Sequence, residues 1–164
     1  MARAPLEPLA RRVGARLKKS GLKLATAESC TGGWIAQAVT AVAGSSEWFE
    51  RGFVTYSNEA KQDLLGVRAR TLSRHGAVSE ATAREMAAGA LARSRAQVAI
   101  AVTGIAGPGG GTRSKPVGTV CFAWSRKKRA PVSATRRLSG GREGIRRQSV
   151  AFALRGLLER LEEE

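Results

Sequence analysis

The sequence predicts an α/β fold, a three-layer α/β/α sandwich around a mixed, mostly parallel sheet. Three observations predict it. Strand-like and helix-like apolar patterns alternate along the chain, the pattern of a layered α/β architecture. The stretch "QVAIAVTG" (97–104) is almost continuously apolar, as a strand covered on both faces must be. Two strand patterns, about 117–125 and 131–138, flank the basic run "RKKR" (126–129). They read as a hairpin, so at least one strand runs antiparallel.

The elements follow in order. A helix over about 5–19 carries Leu6, Leu9, Val13 and Leu17 at helical spacing and stops at Gly21. A short strand covers 22–27. A helix over 32–43 buries Ile35, Ala38, Val39 and Val42 on one face. A strand over 51–57 leads into the short helix "NEAKQDLLG", closed by Gly66. Ser79 is positioned to cap a helix over 79–94. The central strand, a glycine-rich loop, the hairpin and a last helix over about 141–162 complete the chain. No repeat or linker interrupts it, so one domain over 1–164 is expected.

Composition narrows the function classes. The chain has 164 residues, 43% of them hydrophobic, enough for a core without staples. Two cysteines far apart, Cys30 and Cys121, suggest no disulfide framework and fit a reducing cytoplasm. No apolar run reaches a membrane span, and the basic N-terminus lacks the apolar centre of a signal peptide. The net charge of +15 suits an anionic partner. Aromatic residues make up only 5%, which leaves little for stacking bases, and no zinc-finger, RNP or basic-zipper pattern occurs. Nucleic acid is therefore not the expected partner. With one histidine and two distant cysteines, no metal-ligand spacing exists, and no metal or cofactor is expected.

Ligands of open α/β sheets gather at the carboxyl ends of the strands. Three polar stretches fall there: "ESCTGG" (28–33), "YSNEAK" (56–61) and "TGIAGPGGG" (103–111). Ser29 sits where a strand turns into a helix. Such an elbow exposes a nucleophile and aims backbone amides at a developing oxyanion, although a serine there also serves as a helix cap. Thr31 alone suffices for the cap. A nucleophilic Ser29 needs a base. The chain has a single histidine, His75, and a single aspartate, Asp63. His75 reads as a helix end and Asp63 as a helix residue one turn from Glu59. Lys61 is the remaining candidate, provided that burial or a nearby cation such as Arg142 lowers its pKa. Cys30 is a second possible nucleophile, although its side chain points elsewhere than that of Ser29; a small buried residue is the other reading. The loop Gly104–Gly111 lets backbone approach a ligand. The last helix start, with Arg142 beside it, suits a phosphate.

"TAESCTGG", "YSNEAK", "GAVSEATAREMA", "AVTGIAGPGGG", "KPVGTV" and "GREGIRRQSV" occur here in one order. In that order the chain closely resembles the C-terminal domain of the competence-induced protein CinA, which stands alone in nicotinamide-nucleotide amidohydrolases. The resemblance covers about residues 8–160. It implies the same three-layer fold and hydrolysis of the carboxamide of nicotinamide mononucleotide to nicotinate mononucleotide and ammonia. It implies a serine nucleophile and a lysine base, without a metal. By matching motif these are Ser29 and Lys61, with Tyr56 orienting either group or relaying the proton. Backbone amides around Cys30, Thr31, Gly32 and Gly33, or around Gly104 and Gly107, are expected to hold the oxyanion. Thr103 and Arg142 join the substrate site, with Arg142 and the loop gripping the 5′-phosphate. The nucleotide is the expected partner, the chain itself is expected to form a homo-oligomer, and no membrane is expected. Two other readings are a non-catalytic nucleotide-binding module and a competence or DNA-associated factor. Ammonia release separates the first reading from both, and a steep salt dependence of DNA binding marks the last.

Overall fold

The computed structural model describes residues 5–163. The order is α1 (Glu7–Ser20), β1 (Leu24–Glu28), α2 (Trp34–Thr40), β2 (Phe49–Val54), α3 (Asn58–Leu65), α4 (Ala69–His75), α5 (Glu80–Ala92), β3 (Val98–Gly104), β4 (Thr119–Arg126), β5 (Val132–Arg137) and α6 (Arg142–Glu162). The sheet order is β2-β1-β3-β4-β5. β1 pairs parallel with both β2 and β3, whereas β3–β4 and β4–β5 are antiparallel. Only β4 runs against the others, so the sheet is mixed with four strands pointing one way.

Side-chain alternation along each strand sorts the core into two layers. Leu24, Val98, Ile100, Val102, Val120, Phe122 and Trp124 face one side, where Val13, Leu17, Ile35, Ile145, Leu154 and Leu157 of α1, α2 and α6 cover them. The other face is nearly all alanine: Ala25, Ala27, Ala99, Ala101 and Ala123 meet Ala83, Met86, Ala87 and Ala90 of α5. Small side chains on both partners allow α5 to lie close to the sheet, while the bulky face stands off from its three helices.

The alternation of elements, the central place of β3 and the hairpin at "RKKR" agree with the sequence reading, and several boundaries differ. α2 is shorter than expected because Gly32 and Gly33 take left-handed backbone, φ 60° and 103°, and form a turn rather than the first helical residues. β2 begins at Phe49 and ends at Val54, and Thr55–Ser57 leave the ladder to start α3, where the Ser57 hydroxyl accepts from the Ala60 amide at 3.0 Å. α4 is not legible as a separate helix: in "ARTLSRH" only Thr71 and Leu72 are buried, too few for an apolar stripe. It does end at His75, as expected, and Ser79 caps α5. Gly21 closes α1 in left-handed backbone at φ 67°. The first four residues of the basic N-terminus lie outside the described residues.

Candidate functional site

Strand parity places the candidate nucleophile. Glu28 faces the α1/α2/α6 layer. Ser29 extends the ladder by one residue, its amide donating to Val102 O at 3.0 Å, and so its side chain faces the α3/α5 layer. Cys30 turns back into the first layer and is buried there. Ser29 and Cys30 therefore project to opposite sides. Burial pushes the Cys30 thiol up to about 12, so it is neutral at physiological pH.

α3 supplies Lys61 to the same face. The residue is only 1% exposed, against the ordinary expectation for a lysine. Its Nζ lies 2.9 Å from Ser29 Oγ, 2.9 Å from Thr55 O and 3.3 Å from Tyr56 O. Burial pushes its pKa below that of free lysine, and only the ionised form of Cys30 would oppose this. Arg142 is not among the causes, which corrects the expectation that a neighbouring cation shares the work. A neutral amine has two N–H groups and one lone pair, an ammonium three N–H groups. Two carbonyls and one hydroxyl match both states.

The elbow between β1 and α2 is held from two sides. Below it, the Glu28 carboxylate, 1% exposed, accepts from Thr31 Oγ1 at 2.6 Å, the Ile35 amide at 2.8 Å and the Ala36 amide at 3.1 Å. It thus takes the free donors at the start of α2. This corrects the expectation that Thr31 caps the helix, since the Thr31 hydroxyl is itself a donor to Glu28. Above the elbow, Arg146 Nε and Nη2 donate to the carbonyls of Cys30 and Thr31 at 3.0 and 3.1 Å. Gly32 donates to Ser29 O. The amides of Cys30, Thr31 and Gly33 have no hydrogen-bond acceptor among the described residues.

The remaining expected residues divide. Tyr56 is at the site through its main-chain carbonyl. Its side chain is 63% exposed, and its phenol oxygen accepts from Arg142 Nη2 at 3.1 Å rather than from Ser29 or Lys61. Arg142 opens α6 and also donates through Nη1 to Gly107 O at 2.6 Å. It thereby joins the glycine-rich loop to the mouth of the site. Gly104 lies in the β3–β4 ladder opposite Val120, where a Cβ would come within 2.8 Å of Val120 Cγ2; close strand packing explains that glycine. The Thr103 hydroxyl is engaged with Ala77 O at 2.9 Å, tying the segment before α5 to the end of β3. His75 and Asp63 make no hydrogen bond to Ser29 or Lys61. His75 lines a separate cleft with Ser79, Glu80 and Lys115, and Asp63 is exposed on α3, so no serine-histidine-aspartate triad forms. Another cleft, of about 270 Å³, opens between Val98, Trp124 and Arg160 at the far end of the sheet, away from this chemistry.

Glu28 and Arg146 escape sequence reasoning. Glu28 caps donors seven and eight residues ahead, outside the spacing of a capping box. Arg146 is one arginine among several on α6, and only the i, i+4 spacing to Arg142 hints that both reach the same end of the sheet.

Known proteins share this arrangement's sequence. The family model described as CinA C-terminal domain matches residues 6–161. The nicotinamide-nucleotide amidohydrolase PncC of Escherichia coli K12 is 52% identical over 157 residues, spanning 96% of this chain and 95% of that protein. The protein of the same name from Pseudomonas putida is 50% identical over 155 residues, 94% of this chain and 96% of its own length. Among solved structures, the competence/damage inducible protein CihA from Agrobacterium tumefaciens superposes with a TM-score of 0.94 at 50% identity, covering 99% of this chain and 98% of that one.

Proposed function

The chain belongs to the CinA C-terminal domain family, and on that premise we propose that it hydrolyses the carboxamide of nicotinamide mononucleotide. The products are nicotinate mononucleotide and ammonia, with Ser29 as nucleophile and Lys61 as base. The substrate rests on the two amidohydrolases of this name that match along almost their whole length. One observation carries the chemistry: a buried lysine amine 2.9 Å from the elbow serine, in a shell that accommodates both of its protonation states.

In its reactive, neutral form the Lys61 amine donates to Thr55 O and Tyr56 O and turns its lone pair to the Ser29 hydroxyl. It takes the serine proton as Oγ attacks the carboxamide carbon. Negative charge gathers on the carbonyl oxygen, and the unpaired elbow amides of Cys30, Thr31 and Gly33 are the donors that receive it. The new Lys61 ammonium passes its proton to the departing nitrogen, so ammonia leaves as a neutral molecule. Water then attacks the acyl-enzyme with Lys61 again as base, which releases nicotinate mononucleotide and restores Ser29. Arg142, exposed beside the glycine-rich loop, holds the 5′-phosphate. No step calls for a metal.

A coupled ammonia assay on nicotinamide mononucleotide, free nicotinamide and NAD tests the reading. The expected result is ammonia from the mononucleotide, at a kcat/KM well above that of free nicotinamide. No ammonia from the mononucleotide would overturn the function, and equal efficiency on the two would remove the phosphate grip.

A further inference from the structure

We propose that Arg146 is a positioning residue for the oxyanion site: by clamping the carbonyls of Cys30 and Thr31 it turns the Thr31 amide toward the carbonyl oxygen under attack. This inference rests on the serine chemistry proposed above. Arg146 lies on α6 and approaches the elbow from the α1/α2/α6 side of the sheet. Its two donors span consecutive peptide units, Nε to Cys30 O at 3.0 Å and Nη2 to Thr31 O at 3.1 Å. Among the described residues the only cis peptide is Gly107–Pro108, so both of these units are trans. In a trans peptide the carbonyl and the following N–H point in opposite directions. Drawing the Cys30 carbonyl toward α6 therefore drives the Thr31 N–H away from α6. That direction is the face on which Ser29 Oγ and Lys61 Nζ meet. The Thr31 amide has no acceptor there among the described residues, so it is free to receive an oxyanion.

Two more features suit the role. The second peptide unit that Arg146 holds ends in the Gly32 amide, which closes onto Ser29 O at 3.0 Å and fixes the backbone of the nucleophile itself. A Cβ on Gly32 would stand 3.3 Å from Arg146 Nη2, so glycine keeps the clamp's approach open. The guanidinium is steadied over the Trp34 ring, 5.5 Å from its centroid. Its planar fork reaches the two carbonyls through two separate nitrogens at a fixed spacing, a geometry that the single nitrogen of a lysine does not reproduce.

The test compares wild type with Arg146→Lys and Arg146→Gln. Two reactions are followed, turnover of nicotinamide mononucleotide and acylation of Ser29 by 4-nitrophenyl acetate, with folding checked by circular dichroism and thermal melting. Misaimed oxyanion donors should lower kcat by about 10- to 100-fold and leave KM within about threefold. The acylation rate should fall by a similar factor. The midpoint of the basic limb in the pH profile should stay in place, because Arg146 is not among the influences on Lys61. Arg146→Lys, which keeps the charge, should be impaired almost as much as Arg146→Gln. Unchanged kcat in either folded variant overturns the proposal. So does a loss confined to KM, or a moved pH midpoint that accounts for the loss. If Arg146→Gln fails to fold, Arg146→Lys decides on the same criteria. A wild-type protein acylated at Ser29 but inert toward the mononucleotide rejects the substrate instead, and the acylation rates then decide the role of Arg146.

Discussion

Glu28, at the end of β1, and Lys61, within α3, are both buried ionisable side chains, each 1% exposed. Their surroundings differ in kind. Glu28 meets only donors, one hydroxyl and two amides. That shell uses the side chain only as an acceptor, so it serves as a fixed anchor for the start of α2. Lys61 meets two carbonyls and a hydroxyl. A hydroxyl both gives and takes a hydrogen bond, so the amine can gain or lose a proton with no rearrangement. A buried ionisable group is suited to anchoring where every partner is a donor, and to proton transfer where one partner can both give and take a hydrogen bond.

The contrast breaks first at Lys61. Lys61→Met should lower kcat by about a thousandfold, as removal of a general base does, and Lys61→Arg should not restore it, because a guanidinium stays protonated. Ser29→Ala should lose as much, since the pair acts as one unit. Ammonia release measures all three. If Lys61→Arg keeps most of the activity, Lys61 is a fixed charge and no different in kind from Glu28. The pH profile sharpens the point. Because burial lowers the pKa of Lys61, kcat/KM should rise through one basic limb whose midpoint lies below that of free lysine.

Stability should move the opposite way. Glu28→Gln replaces an acceptor oxygen by an NH₂ group that faces a donor. We expect a loss of about 2–4 kcal/mol in denaturant unfolding, from broken charged hydrogen bonds and one buried donor left unpaired. Lys61→Met should instead leave the fold as stable as wild type or more so at neutral pH. The folded pKa of Lys61 is depressed, so between that value and the unfolded one the unfolded chain binds more protons. Wild-type stability therefore rises with pH across that window, and the advantage of Lys61→Met should shrink toward alkaline pH. An advantage that stayed constant with pH would mean that the lysine is not strained by burial. Cys30→Ala is the smallest effect: the thiol, pushed up to about 12, takes no part, so kcat should stay within about threefold and stability should fall by about 1 kcal/mol.

The sequence exposes what depends on pattern. Alternating apolar periods predict the layers, and the roster of titratable residues leaves Lys61 as the base once His75 and Asp63 are set aside. Burial of Lys61 was needed for that chemistry, and the structure supplies it. Other features rest on distances that no period encodes. Glu28 reaches across the turn made by Gly32 and Gly33, so its partners are set by the path of the backbone. Tyr56 contributes a carbonyl, which any residue carries, and so its motif says nothing of how it acts. Arg142 and Arg146 share one helix and one chemistry; which loop each grips follows from the tilt of α6 over the sheet.

α6 follows every other element among the described residues, and it packs against α1: Arg16 Nε donates to Leu161 O at 3.2 Å, and residues of both helices share the core over Leu24, Val102, Phe122 and Trp124. During synthesis every strand emerges before that helix does. Until α6 docks, the bulky face of the sheet lacks part of its cover, and the elbow lacks its arginine clamp. Ser29 and Lys61 are within the first 61 residues, but the frame that aims them is complete only after residue 146 has been made. The proposed catalytic pair therefore matures late. A nascent chain carries the proposed nucleophile long before it has the means to use it, and a truncation within α6 should disarm the protein without touching Ser29 or Lys61.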